Sequence, residues 1–256
     1  MSTPQEVCAR WARFAMSDPH LADLLSLPLY WLQGNWVRLR TPRLAPAPGD
    51  ESGFCGDCEP VFKLLVFGES TAAGIGASCQ ESALAGQLAV ALRTFVNRAV
   101  AWRAIGASGL TVEAARRALL PRVGADPVDC AVLVFGVNDV LQGTPDHLWV
   151  EHWTALIAEL RARIGPVPIY LAGVPPLQIF PALPEPLRAW LGRRAARLER
   201  ALQQLCRELK QVHYCEHHVD TTAGMFCADR FHPSDAGYRV WAQQLAQRII
   251  AREGLA

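Results

Sequence analysis

The chain has 256 residues, 51% of them hydrophobic, and a formal net charge of +1. That length supports one sizeable core, most economically a single α/β domain with an N-terminal extension, and the balanced charge excludes the electrostatic footprint of a nucleic-acid binder. Lys63 and Lys210 are the only lysines, so the positive charge is almost all arginine, and these arginines are scattered rather than clustered as phosphate recognition requires.

Taken in chain order, Met1 to Glu6 lack the basic region and following apolar run of a secretory signal, so cytoplasmic residence is expected. Leu21 to Trp36 is rich in leucine and tryptophan, but Asp23, Pro28 and Gln33 interrupt it and it falls short of the ~20 apolar residues a membrane span needs. Its apolar side admits peripheral membrane contact, against the preferred reading of an arm packed on the domain. Residues 41–60, rich in proline, glycine and acid, read as a linker, which sets the expected division at 1–60 for extension and linker and 61–256 for the domain proper. Within the linker Cys55-Gly56-Asp57-Cys58 is a single CxxC without the second pair a zinc site needs, and the eight cysteines read as free thiols.

From residue 61 the pattern alternates. Val61 to Phe67 reads as a buried strand and Leu84 to Val96 as a helix. Val100 to Ile105 reads as a strand and Thr111 to Leu120 as a helix. Ala131 to Phe135 is a third strand, and His147 to Ile164 a helix with Trp149, Trp153, Leu156 and Leu160 on one stripe. Val167 to Ala172, Pro184 to Lys210, Val212 to Cys215 and Ser234 to Arg252 continue as strand, helix, strand and helix. Such alternation predicts parallel strands with helices on both faces, and ligand chemistry at the carboxyl ends of the strands.

The polar motifs fall at that edge. Gly68-Glu69-Ser70 follows the first strand, and its serine is a candidate nucleophile at a strand-to-helix turn, where it competes with an ordinary helix cap. Alanine at 72 departs from the GxSxG elbow and disfavours an α/β-hydrolase. Near the C-terminus, Asp229-Arg230-Phe231-His232 places a carboxylate three positions before a histidine. That spacing suits an imidazole base whose tautomer is fixed by Asp229; Asp235, inside the following helix start, ranks below it. Candidate oxyanion donors are the Ser70 N–H, Gly109 in the turn after the second strand, and the Asn138 amide after the third. An isolated Asn-Asp is also an ordinary turn.

Gly74-Ile75-Gly76-Ala77-Ser78-Cys79 lies too far past its strand for a phosphate-binding turn and ends in cysteine. His213, Cys215 and His217 share a face by their period of two but lack a fourth ligand, so neither cofactor nor metal is expected. The proline-rich loop from Val174 to Leu187 lies on the active edge, where Leu177, Ile179 and Phe180 either line an acyl pocket or cover the sheet.

Gly68-Glu69-Ser70, Gly109 within Ser108-Gly109-Leu110-Thr111, Gly136-Val137-Asn138-Asp139 and Asp229-Arg230-Phe231-His232 together resemble the four blocks of the SGNH/GDSL hydrolase family, over residues 62 to 250. The resemblance implies a flavodoxin-like three-layer α/β/α fold with a central parallel sheet. It also implies ester hydrolysis through an acyl-enzyme, with Ser70, Gly109, Asn138 and His232 as the name-giving positions and Asp229 as the orienting acid. The aspartate that usually precedes the serine is Glu69 here, expected to bond nearby backbone. A small acyl ester is the implied substrate; the same machinery serves a thioester or an acetylated sugar, and a noncatalytic binding module on this fold is the rival from another class.

Overall fold

A computed structural model of the chain describes residues 21–57, 59, 61–96 and 98–253, so expectations for residues 1–20 and for Cys58 lie outside it. The chain begins with helix α1 (Leu21–Arg40), which runs through Pro28, and strand β1 (Ser52–Cys55). Then come β2 (Phe62–Gly68), α2 (Leu84–Val96), β3 (Val100–Gly106), α3 (Val112–Ala118), β4 (Cys130–Val134), α4 (Val137–Gln142) and α5 (Asp146–Ile164). The last third holds β5 (Ile169–Ala172), α6 (Leu187–Glu208), β6 (Val212–Cys215) and α7 (Asp235–Glu253).

The strands form one sheet in the order β1-β3-β2-β4-β5-β6, parallel throughout except for β1. Because β2 to β6 are covered on both faces, their sequences are nearly continuous apolar runs, and alternate residues enter opposite cores. Leu65, Phe67, Ile105, Leu133 and Leu171 pack with α3, α5 and α6; Leu64, Val66, Trp102, Val132 and Tyr170 pack with α2 and α7. The predicted stripe of α5 is fully buried at Trp149, Trp153, Leu156 and Leu160, and the Trp149 indole donates to the Leu198 carbonyl at 3.2 Å.

Strand β1 is the main departure from expectation. It arises within the proline- and glycine-rich stretch, where the sequence has little periodicity. Its stability comes from non-local pairing, Ser52 opposite Arg103 through Cys55 opposite Val100, extended by the Ala104 N–H to the Glu51 carbonyl at 2.7 Å. Cys55 ends this edge strand, and Gly53 lets the Trp102 ring lie flat on it, since a Cβ there would come within 2.6 Å of the ring.

The chain leaves β2 to form β3 on one side and returns to place β4 on the other. The crevice between those crossovers opens at the carboxyl end of β2. Two glycines allow the turns there to close up: a Cβ on Gly68 would meet the Val134 carbonyl oxygen at 2.4 Å, and one on Gly106 the Ala73 nitrogen at 2.4 Å. Gly106→Ala should therefore destabilise the fold by about 1–3 kcal/mol, because the backbone opposite cannot yield as a side chain does; urea unfolding of the variant beside the parent checks this.

Candidate active site

Ser70 stands two residues beyond β2, 8% exposed. It opens a run of tight turns instead of a helix: the Ala72 and Ala73 N–H groups donate to the Glu69 carbonyl at 3.0 and 3.2 Å and the Ile75 N–H to the Ser70 carbonyl at 3.0 Å, while α2 starts only at Leu84. The expected strand-to-helix turn is thus a compact loop, Ser70 to Ala83. The structure brings His232 to it from the other end of the chain, with Nε2 3.0 Å from the Ser70 hydroxyl and Nδ1 2.6 Å from Asp229 Oδ2. An ionised carboxylate only accepts, so Nδ1 carries the proton and the Nε2 lone pair faces the serine.

Asp229 is held as firmly as it holds. Its Oδ1 accepts the Phe231 N–H at 2.8 Å, the His232 N–H at 2.8 Å and the Cys227 thiol at 3.1 Å. That wrap forces the chain through a left-handed residue, Arg230, with φ of 59°. The loop is tied at its base by the bridge of Phe226 with Pro233. Burial pulls the Asp229 carboxyl up, but the His232 ring and the N–H donors outweigh it and hold it at about 2. Asp235 is committed elsewhere, accepting the Ser78 N–H at 2.8 Å and its hydroxyl at 2.7 Å.

Glu69 has partners the sequence did not specify. Its side chain turns away from the loop it begins and reaches the start of α4, accepting the Val137 and Asn138 N–H groups at 3.1 Å each and the Asn138 amide at 2.5 Å. The backbone contact was expected from the residue; that it comes from the next strand's turn follows from sheet order, which no local pattern encodes. Asp139, fully buried, accepts the Val112 N–H at 3.0 Å and the Thr144 hydroxyl at 2.8 Å, so it ties the α3 start to α4.

Of the three oxyanion candidates, the N–H groups of Ser70 and Gly109 have no acceptor among the described residues. Asn138 commits one of its two amide hydrogens to Glu69. Gly109 adopts φ of +82° and its carbonyl accepts Gln142 Nε2 at 2.9 Å, which anchors the β3 loop to α4. Its carbon faces open space.

A cleft opens beside Ser70 and His232, walled by Phe135, Phe180, Phe226, Phe231, Val219 and Trp241. Phe180 packs edge to face on Phe226 and Phe231, with centroids 5.4 and 5.2 Å apart. Of the loop residues singled out above, Phe180 lines this cleft. Leu177 does not: the single turn from Leu177 to Ile179 rotates it inward to full burial in the core, and Ile179 packs half-buried against the same core. Phe226, Phe231 and Val219 are wall residues the sequence reading passed over, since their signal is only an apolar side chain beside the Asp229-to-His232 motif. His217 lies in the wall stacked on Trp241 at 4.1 Å, and burial pushes its imidazole down to about 3, so it stays neutral. The described residues hold no cluster of three or more side chains suited to a metal.

A model of the GDSL-like Lipase/Acylhydrolase family matches residues 66–240. The chain is 28% identical, over 191 residues, to a GDSL-like esterase of Mycobacterium tuberculosis, covering 71% of this chain and 60% of that protein, so it spans about three fifths of the length of this curated relative. Among solved structures it is similar to the psychrotrophic esterase EstA from Pseudoalteromonas sp., with a TM-score of 0.59 and 17% identity over 75% of this chain and 98% of that one. It is also similar to Est24, a carbohydrate acetylesterase from Sinorhizobium meliloti, with a TM-score of 0.58 and 16% identity over 75% and 99%. At these identities the two likenesses show a shared fold.

Burial raises the Glu69 carboxyl to about 7 against the lowering pull of its N–H donors. Between the ordinary carboxylate range and 7 the folded protein holds a proton that the unfolded chain has lost, so this group makes stability fall as pH rises through that window. Urea unfolding at pH 5 and pH 8 should show that fall in the parent and a smaller one in Glu69→Gln, which carries no proton to lose.

Proposed function

The chain belongs to the GDSL-like lipase/acylhydrolase family, and from that membership we propose that it is a serine esterase that cleaves carboxylic esters through an acyl-enzyme on Ser70. The observation that carries the reading is the continuous line from Asp229 Oδ2 to His232 Nδ1 at 2.6 Å and from His232 Nε2 to the Ser70 hydroxyl at 3.0 Å.

In this mechanism the Ser70 oxygen attacks the ester carbonyl carbon as its proton passes to His232 Nε2, and Asp229 stabilises the imidazolium. The carbonyl oxygen, now an oxyanion, is met by the N–H groups of Ser70 and Gly109 and the remaining Asn138 amide hydrogen, donors fixed before the charge develops. Collapse breaks the ester bond, and His232 returns the proton to the departing alkoxide. Water repeats the sequence on the acyl-enzyme and releases the acid and Ser70. No step needs a cofactor.

A fluorophosphonate should form an adduct at Ser70 in the parent and none in Ser70→Ala, whose turnover falls by more than about 10⁴. Asp229→Asn should lose about 10²–10⁴ through tautomer and orientation, and Asn138→Ala about 10²–10³. Absence of the adduct in folded parent, or hydrolysis undiminished in Ser70→Ala, leaves the noncatalytic binding module as the reading.

The aromatic wall sets the acyl group. With Phe180 packed on Phe226 and Phe231 in the cleft wall, the proposal favours short acyl chains. Across chromogenic esters of increasing chain length, run beside acyl-CoA and acetylated xylan, Phe180→Ala should raise the ratio of octanoyl to acetyl hydrolysis by about tenfold, as the cleft lengthens by one ring.

A further inference from the structure

Helix α1 turns Tyr30, Gln33 and Val37 to the domain, a spacing of three and four that puts them on one face. Tyr30 stacks on Trp190 at 4.8 Å, and Gln33 donates to the Glu185 carbonyl at 2.7 Å and accepts the Leu187 N–H at 3.1 Å. The opposite face is uncovered by the described residues and is apolar: Leu27, Trp31, Leu32, Trp36 and Leu39, with Trp31 68% and Leu39 85% exposed. Among the described residues no helix is long and apolar enough to cross a membrane, so this face is a surface and not a span.

We infer that this face seats on a bilayer surface carrying anionic headgroups, and so holds the cleft beside membrane-borne esters. Its borders are basic: Arg38 and Arg40 flank the apolar stripe and Arg43 follows it, with no acidic residue from Leu24 to Gly49. Arg38 bonds Asn35 at 2.8 Å and Arg40 lies over the Trp36 ring at 5.1 Å, but neither has a carboxylate partner among the described residues. Tryptophan and leucine in the middle with arginine at the edges is the composition of an interfacial helix: the rings and leucines enter the headgroup boundary while the guanidinium groups stay level with phosphate. A second copy of the chain fits less well. A two-fold contact with the two helices parallel brings the arginines of both copies together, with no acid among the described side chains of the face to answer them.

The helix is also placed for delivery. Its docking partners, Glu185 and Leu187, end the same loop that carries Phe180 into the cleft wall, so the surface and the cleft share one segment. What is delivered rests on the esterase reading. The docking does not, because it can be read without turnover.

Flotation of the full chain with phosphatidylcholine vesicles, and with vesicles about one third phosphatidylglycerol, tests it. Binding to the anionic vesicles should exceed binding to the neutral ones by about tenfold and fall with salt. W31E combined with L32E should lower it at least about tenfold. Arg38→Gln with Arg40→Gln should lower the anionic preference about fivefold or more. Circular dichroism and hydrolysis of a soluble short ester, both unchanged in these variants, show that fold and site are intact. No flotation with anionic vesicles, or flotation indifferent to the variants, overturns the inference. So does a dimer in sedimentation that the W31E and L32E change dissociates, since the face is then covered by a second copy.

Discussion

Gly68 and Val134 are paired across the middle of the sheet, and the Glu69 N–H donates to the Val134 carbonyl at 3.0 Å, so the turns that follow β2 and β4 begin level with one another. Everything at the site depends on this registration. The Glu69 side chain can span to the Val137 and Asn138 N–H groups only because those groups start at the same height as its own backbone. A glutamate at this point has one methylene more than an aspartate, and that reach is used to clasp the neighbouring strand's turn. One buried carboxylate thereby joins the nucleophile loop to the residue proposed to meet the oxyanion.

Three carboxylates lie within this edge of the sheet, each almost completely buried, yet their proton affinities are spread widely. Glu69 is raised to about 7 and Asp139 to about 6, in both cases chiefly by burial, while Asp229 is held at about 2. Depth alone does not separate them. Asp229 has an imidazole against one oxygen and three donors on the other, so its charge is answered on both sides. Glu69 has three N–H donors but no cationic partner, and the charge of Asp139 nearby adds to the cost of ionising it. A fold that keeps one of its buried acids firmly charged has placed that charge where the proposed mechanism forms an imidazolium.

Much of this is legible in the sequence. The apolar runs at Val61 to Phe67 and Ala131 to Phe135 declare strands by composition, which the structure places at Phe62–Gly68 and Cys130–Val134. Ser70, Gly109 and Asn138 after successive strands, with the Asp229-to-His232 spacing before the last helix, declare a common edge. What failed to show was non-local. Strand β1 exists because β3 offers it an edge, and nothing in Ser52-Gly53-Phe54-Cys55 says so on its own. The position of Leu177 at the active edge left it between lining a pocket and covering the sheet, since a single helical turn decides which way a side chain points, and here it points to the core. The aromatic wall drew two of its rings, Phe226 and Phe231, from the histidine loop itself, where motif spacing drew attention to Asp229 and His232.

That last point changes how the cleft is understood. Phe231 is bonded to His232 in sequence and its ring lies edge-on to the imidazole at 5.4 Å, while Phe180 from the β5 loop packs on Phe231 from the other side. The β5 loop is pinned at its start, where the Val174 N–H donates to Glu199 at 2.7 Å and Tyr214 bonds the same carboxylate, and at its end by Gln33 of helix α1. The wall proposed to meet the acyl chain is therefore also a brace for the His232 loop. Hydrogen bonds to Asp229 fix the imidazole's rotation about its own loop, and the aromatic packing limits movement of that loop relative to Ser70. On that proposal a larger or smaller ring at Phe180 acts on two things at once, the room for the acyl group and the distance from Nε2 to the hydroxyl. On the proposed mechanism, acyl-chain selectivity and proton transfer are coupled, because rings of the cleft wall also pack on the His232 loop.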